Sequence, residues 1–313
     1  MNPASNRILV TGAAGYIGQQ VCRALAQKHF VLATDIRAAD TGTLFAIVDI
    51  RDPALSKLMQ EHRITHVVHL AAVLGDSNNP ERDYDIDVNG TSNVLQACVQ
   101  SGVSHFTITS SGAAYGYYAD NPARIRETDA LRGNDSYPYS RHKRLVEEML
   151  ADYRNRHPQL QQLILRPGAV LGAGTRNLIT NLFEKKRILK IRGADSPFTF
   201  IWDQDVVTII EQGVSNQVTG AFNLAGDGTL TLRDIAHELG KPCLELPAGF
   251  LKAALAIGQT LRLTRYGPEQ LDFLRYRPVL DNQKLKEEFP YTPQKNSAEV
   301  FALWRDHYLA EQP

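Results

Sequence analysis

Short apolar runs alternate with amphipathic stretches through the first half of the chain. RILVTG, FVLATD, LFAIVD, THVVHLAA and HFTITSS read as strands, and the stretches 16–28, 53–63, 82–101 and 137–156 between them read as helices. A strand–helix–strand rhythm predicts a parallel sheet with helices on both faces. Nearly continuous apolar strands fit burial on both sides. QQLILRPGAV supplies a sixth strand. Beyond about residue 169 the pattern loosens into loops, a basic EKKR run read as a solvated helix face, FTFIW, GAFNLAG and two helical stretches. The expectation is an α/β chain: a doubly wound parallel sheet with a smaller C-terminal substrate domain. Residues 1–168 form the first domain, with 203–226 returning to it, and 169–202 with 227–313 form the second. No internal repeat or low-complexity tract breaks the pattern.

The stretch LPAGFLKAALAIGQTLRL is the longest apolar one near the C-terminus, but Lys252 interrupts it. It is too short to span a bilayer and reads as a helix packed on the body of the protein, a candidate cover for the substrate. The remaining composition is that of an ordinary globular protein: 43% hydrophobic, 22% charged and formally neutral over 313 residues. That balance points to neither nucleic acid nor an anionic membrane as partner. MNPASNR carries no apolar h-region, so no secretory signal is expected. Cys22, Cys98 and Cys243 are odd in number and scattered, which favours reduced thiols and a cytoplasmic location.

RILVTGAAGYIGQQVCRALA sets Gly12, Gly15 and Gly18 between the first strand and the first helix. Glycines there allow a tight turn, close approach to a pyrophosphate and close packing of helix on strand. The helix start then offers free N–H groups and a favourable dipole to phosphate. The second strand ends at Asp35, at the roughly 20-residue distance expected of an acid that accepts ribose hydroxyls. Such a carboxylate repels a 2′-phosphate, whereas the nearby Arg37 could hold one. The pattern favours NAD over NADP.

The stretch YPYSRHK raises the question of which tyrosine partners its lysine. Pro138 suits the first turn of a helix. On that helix Tyr139 and Lys143, four apart, share a face, whereas Tyr137 and Lys143, six apart, do not. Tyr139 with Lys143 is therefore the candidate pair.

With TGAAGYIG, Asp35, VDIRD, HLAA, SSGAAYG, YSRHK and LRPGAV in this order, the chain resembles the extended short-chain dehydrogenase/reductases, and within them the NAD-dependent epimerase/dehydratase branch. The resemblance is dense over residues 7 to about 175 and loose afterwards. It implies a Rossmann-type fold and a Ser–Tyr–Lys site made of Ser111, Tyr139 and Lys143. It assigns Gly12, Gly15, Tyr16, Ile17 and Gly18 to the cofactor phosphates, and Asp49 and Ile50 to the adenine. Leu70, Ala71 and Ala72 would line the cofactor's middle, with Pro167 and Gly168 by the nicotinamide and Lys143 on the ribose. A free tyrosine titrates near pH 10. A lysine cation within about 4–6 Å favours the phenolate, as does an oxidised nicotinamide. Lowering the phenol by about three pH units corresponds to about 4 kcal/mol. Tyr139 would then take a substrate hydroxyl proton while the adjacent C–H delivers hydride, and Ser111 would donate to the substrate oxygen. Asn89 matches a family asparagine, for which a structural role is expected.

Departures narrow the reading. SSG stands where dehydrating members resemble TDE, so the acid for elimination is missing. Phe198 stands where nucleotide-sugar epimerases carry an arginine about seven residues before the acid aligned with Asp205. Their second arginine, in an R-x-G-D pattern, finds no counterpart before VLDNQKL. Asn177–Leu178 resembles the pair that meets the nucleotide diphosphate. Phe198, Phe200 and Trp202 line either an apolar pocket or a buried strand, and Asn177, Phe198, Trp202 and Ser111 are the candidate substrate residues. Lys185, Lys186 and Arg192 are the remaining cations for a nucleotide. His62, His66 and His69 are not expected to bind metal, since His66 and His69 should point to opposite faces of a strand and no Cys or carboxylate completes a set. Three functions remain: an NAD-dependent alcohol/ketone oxidoreductase, a nucleotide-sugar epimerase, and a non-catalytic NAD-sensing regulator. A small-molecule substrate is expected, together with a homodimer formed through helices 82–101 and 137–156.

Overall fold

The computed structural model describes residues 6–73, 79–261, 267 and 270–312. Its first half follows the apolar pattern closely: β1 (Arg7–Thr11), α1 (Tyr16–Ala26), β2 (Phe30–Asp35), β3 (Leu44–Ile47), α2 (Leu55–Glu61) and β4 (His66–His69). After α3 (Pro80–Tyr84) and α4 (Thr91–Ser101) come β5 (His105–Thr109), α5 (Pro138–Arg156) and β6 (Gln161–Pro167). The C-terminal half adds β7 (Ala169–Leu171), α6 (Leu178–Phe183), β8 (Ile188–Ile191), β9 (Phe200–Trp202), α7 (Asp203–Ser215), β10 (Gly220–Leu224) and α8 (Leu232–Glu238). It ends with β11 (Cys243–Leu246), α9 (Ala248–Thr260), α10 (Gln270–Arg275), α11 (Gln283–Glu288) and α12 (Ser297–Ala310).

Seven strands form one parallel sheet in the order β10-β6-β5-β4-β1-β2-β3. β10 pairs with β6 at one edge, and α7 packs on α1. Successive strand residues face opposite sides. Ile8 and Val10 of β1 accordingly join the core under α1 and α7, while Leu9 joins the core under α2, α4 and α5. A third core, around Phe183, Phe198, Phe200, Phe301 and Trp304, fills the C-terminal part.

Two expectations need correction. The helix expected over 82–101 is broken: Asp85–Gly90 runs as a π-helical stretch between α3 and α4. Thr91 donates its hydroxyl to the Asp87 carbonyl at 2.6 Å, and the Asp87 carboxylate accepts from the Val73 N–H at 2.8 Å. Both contacts favour the widened turn, and such turns cluster at functional sites. The apolar stretch at 246–263 forms α9 but does not cover the cavity. Leu251 and Leu255 pack toward Ile191 and Leu271, whereas Phe250 (62%) and Ile257 (60%) stay exposed. Its last two residues lie outside the described ones. No helix among the described residues is long and apolar enough to cross a membrane.

Candidate active site

The glycine loop is built for backbone contact. Gly12 has φ +70°, and a Cβ there would lie 2.6 Å from the Ala71 nitrogen; at Gly18 it would lie 2.2 Å from the Gly12 carbonyl. Gly15 caps α1 in extended conformation without any side chain capping the helix. The uncapped N–H groups of the first turn are therefore available to a phosphate. The Asp35 carboxylate is fixed beneath the loop, accepting from the Ala14 N–H at 3.0 Å and the Arg37 N–H at 3.2 Å, while Arg37 itself is exposed. These features fit a dinucleotide. Asp49 is held below the usual carboxylate range, chiefly by the Arg51 guanidinium at 2.6 Å. Ile50 is buried against the Gly90 backbone.

A cavity of about 490 Å³ starts at this loop. Its wall includes Gly12, Gly15, Tyr16, Ile17, Gly18, Leu70, Ala72, Pro167 and Gly168. Ala71 backs Gly12 from behind. Asp35, Arg37, Asp49 and Ile50 lie beyond the cavity, at the ends of β2 and β3 where Val48 N–H donates to the Asp35 carbonyl.

Ser111, Tyr139 and Lys143 converge on the far wall. Pro138 opens α5 after Tyr137, so Tyr139 and Lys143 sit one turn apart, with Nζ 5.6 Å from the phenol ring centroid. Ser111 follows β5 and lies within hydrogen-bonding reach of the Tyr139 phenol, and its hydroxyl also accepts from the Ala113 N–H at 3.1 Å. Lys143 donates to the Thr109 carbonyl at 3.1 Å. Burial pushes the Tyr139 phenol up; the Ser111 hydrogen bond pulls it down and Asp87 pushes it further up. Burial lowers the Lys143 ammonium, against the opposing pull of Asp87 and Glu147. The chain by itself thus favours the neutral phenol, chiefly because Tyr139 is buried.

Sequence reasoning missed the groups behind this site. Asp87 meets His142 Nδ1 at 2.9 Å in a buried pair. Ser110 donates to Glu147 at 2.5 Å, Glu147 pairs with Arg166 at 2.6 Å, and Arg166 donates to the Tyr115 hydroxyl at 2.7 Å. The adjacent serines therefore divide: Ser110 belongs to a buried network, Ser111 to the cavity. Asn89 is exposed and donates to Asp85 at 2.9 Å. His69 lies between Thr11 and Thr91, whereas His66 rests against His105 and His62 against Phe30. Among the described residues no group of three His, Cys, Asp or Glu is placed to hold a metal ion.

At the substrate end, Phe198 lines the cavity and stacks on Phe200 at 5.7 Å. Asn177 also lines it, but its side-chain Oδ1 caps α6, accepting from the Ile179 and Thr180 N–H groups. Trp202 is not in the cavity wall: two residues on from Phe200 along β9, it shares that strand face and packs in the C-terminal core, with Lys295 over its ring. An arginine that sequence reasoning did not place also stands at this end. Arg277, in RYRPVLD, lines the cavity with its guanidinium 4.1 Å from the Phe198 centroid and 4.6 Å from that of Phe273. No fixed spacing announces it; the basic run RYR at the end of α10 is its sequence signal. Lys185, Lys186 and Arg192 are exposed and outside the cavity wall.

A family model described as the NAD dependent epimerase/dehydratase family matches residues 8–225. A UDP-glucose 4-epimerase of Erwinia amylovora is 32% identical over 184 residues, covering 53% of this chain and 54% of that protein. An uncharacterized protein of Mycobacterium tuberculosis is 24% identical over 307 residues, covering 94% of this chain and 82% of its own length. Among solved structures, a UDP-glucose 4-epimerase of Thermus thermophilus in complex with NAD superposes with a TM-score of 0.74 at 23% identity, covering 98% of this chain and 100% of that one. The UDP-glucose 4-epimerase of Thermotoga maritima with UDP-glucose gives 0.76 at 21%, covering 97% and 99%.

Proposed function

Because the chain belongs to the NAD-dependent epimerase/dehydratase family, a family of enzymes, we propose that it transfers hydride between NAD and a secondary alcohol or ketone. The supporting observation is the convergence of Ser111, Tyr139 and Lys143 on one wall of the cavity that begins at the uncapped start of α1. Bound NAD would supply the hydride acceptor and, when oxidised, a positive charge that favours the phenolate. Gly12, Gly15 and the first-turn N–H groups of α1 would hold its phosphates, and Asp35 its adenosine ribose. Ser111 donates to the substrate oxygen and orients it. Tyr139 takes the hydroxyl proton during oxidation and returns it during reduction. Lys143 would hold the ribose and offset charge on the phenolate. Purified protein screened against secondary alcohols and nucleotide sugars should reduce NAD with some member of the set, and Tyr139→Phe should weaken that signal by about 10²–10⁴-fold. Undiminished activity in Tyr139→Phe would sink the assignment.

A second reading is epimerisation of a nucleotide sugar, in which the ketone turns over and is reduced on its other face. Arg277 in the cavity favours it, as does the similarity to the Erwinia enzyme. Tightly retained NAD with no net NADH formation would select it; freely exchanging cofactor selects the first reading. A purely NAD-sensing role leaves the complete Ser111–Tyr139–Lys143 set without a use.

A further inference from the structure

The apolar stretch that forms α9 has no use in the site described above. Its 13 residues carry a single charge, Lys252, and none of them is buried. Leu251 and Leu255 lean toward Ile191 and Leu271, while Phe250, Ala254, Ile257 and Leu261, at helical spacing, fall on another stripe that stays exposed. A helix so poor in polar residues is ordinarily buried in a core or a membrane, and large apolar side chains grouped on a surface mark a contact. The surrounding charge indicates the chemistry of that contact. From Leu246 to Pro268 the sequence holds Lys252, Arg262 and Arg265 and no carboxylate, an excess hidden by the formal neutrality of the whole chain. Arg192, also exposed, lies beside the start of α9, its N–H donating to the Leu246 carbonyl at 2.9 Å. The carboxylates of Asp195 and Glu245, beside β8 and in β11, are balanced by Lys190 at 3.6 and 3.3 Å.

We propose that α9 is a membrane-docking helix, which lies on an anionic lipid surface with Phe250, Ile257 and Leu261 inserted. Such a helix does not span the bilayer; its apolar face sinks about 5–10 Å, to the boundary of headgroups and acyl chains. Lys252 and Arg192 stand where they can meet lipid phosphates, their stems along the apolar surface and their charges in water. Each cation near an anionic surface strengthens binding about fivefold. A protein partner fits the stripe less well. A stable protein–protein interface engages about 20–30 residues a side, whereas the stripe offers Phe250, Ala254, Ile257 and Leu261 alone. A bilayer needs no complementary surface, only apolar area to remove from water. α10 packs on α9 and contributes Phe273 to the cavity wall, so docking sets the substrate end of the cavity close to the lipid.

The test is co-sedimentation of the full chain with vesicles of phosphatidylcholine alone and of equimolar phosphatidylcholine and phosphatidylglycerol. Wild type should sediment with the anionic vesicles, less with the neutral ones, and less as salt is added. Phe250→Ser combined with Ile257→Ser should weaken binding by about tenfold or more, because each deleted side chain withdraws apolar area from the lipid. Lys252→Gln should weaken it by about fivefold. Both variants should keep the wild-type melting temperature, because the replaced side chains are exposed and such surface changes alter stability little. No sedimentation of wild type with the anionic vesicles would overturn the proposal, as would equal sedimentation with both vesicles or undiminished binding of the double variant. Light scattering without lipid should give one mass for wild type and double variant. A lower mass for the double variant would also overturn the proposal, since a second copy of the chain then covers the stripe.

Discussion

Tyr137 and Tyr139 stand two positions apart, yet Tyr139 is the one that shares a helix face with Lys143 and reaches Ser111; Tyr137 packs edge-on against Tyr117 and at a tilt against Phe273. Tyr139→Phe should therefore lower turnover by about 10²–10⁴-fold with the fold intact by circular dichroism, while Tyr137→Phe changes turnover far less. Equal losses in the two variants would contradict the assignment. The serines should separate in the same way: Ser111→Ala loses activity at unchanged melting temperature, and Ser110→Ala loses stability by leaving Glu147 short of a donor. Lys143 is depressed by burial and raised by Asp87 and then Glu147. Its charge is present at low pH and lost as pH rises through the depressed value. Removing a group that raises it moves that loss to lower pH, so the alkaline limb of the turnover profile should shift downward in Asp87→Asn. An upward shift would contradict the electrostatic role of Asp87.

At the scale of elements, two features govern stability. The Glu147–Arg166 pair links α5 to β6, with Ser110 after β5 and Tyr115 beyond it. Breaking a buried pair from one side costs about 3–5 kcal/mol, so Glu147→Gln should lower the melting temperature markedly. A loss within experimental error would show the network to be redundant. The second feature is β4, whose His66 and His69 are lowered by burial to about 4 and about 3. Folded-state values below the ordinary 6.5 mean that the unfolded chain takes up protons first as pH falls. This contribution is therefore intact above about pH 6.5 and is lost as pH drops from there toward 4 and then 3. Melting temperature should fall across that window, and His66→Gln should flatten the slope. A profile flat from pH 7 to 4 would contradict this.

For the whole molecule, a homodimer through α4 and α5 is proposed. Most of the apolar residues expected at that interface are committed to the protomer's own core: Val88, Val94, Leu95 and Leu150 are buried, leaving Val99, Leu145 and Met149 half-buried. Light scattering at micromolar concentration should give twice the 34.8 kDa chain mass. A single-chain mass would remove the dimer.

Features with a period or a short spacing are legible in the amino-acid sequence itself. Alternation of apolar runs and amphipathic stretches specifies the parallel sheet, because burial on both faces leaves that signature in each strand separately. The glycine loop and the Tyr139–Lys143 pair are legible because a turn and one helical repeat set their geometry locally. The break at Asp85–Gly90 is hidden, since its residues carry helical composition and the contacts that widen the turn come partly from Val73. Asp87 with His142, Ser110 with Glu147, and Arg277 between Phe198 and Phe273 join segments remote in sequence. Such contacts have no period. Side chains of these types occur throughout the chain, and only the tertiary fold decides which of them meet.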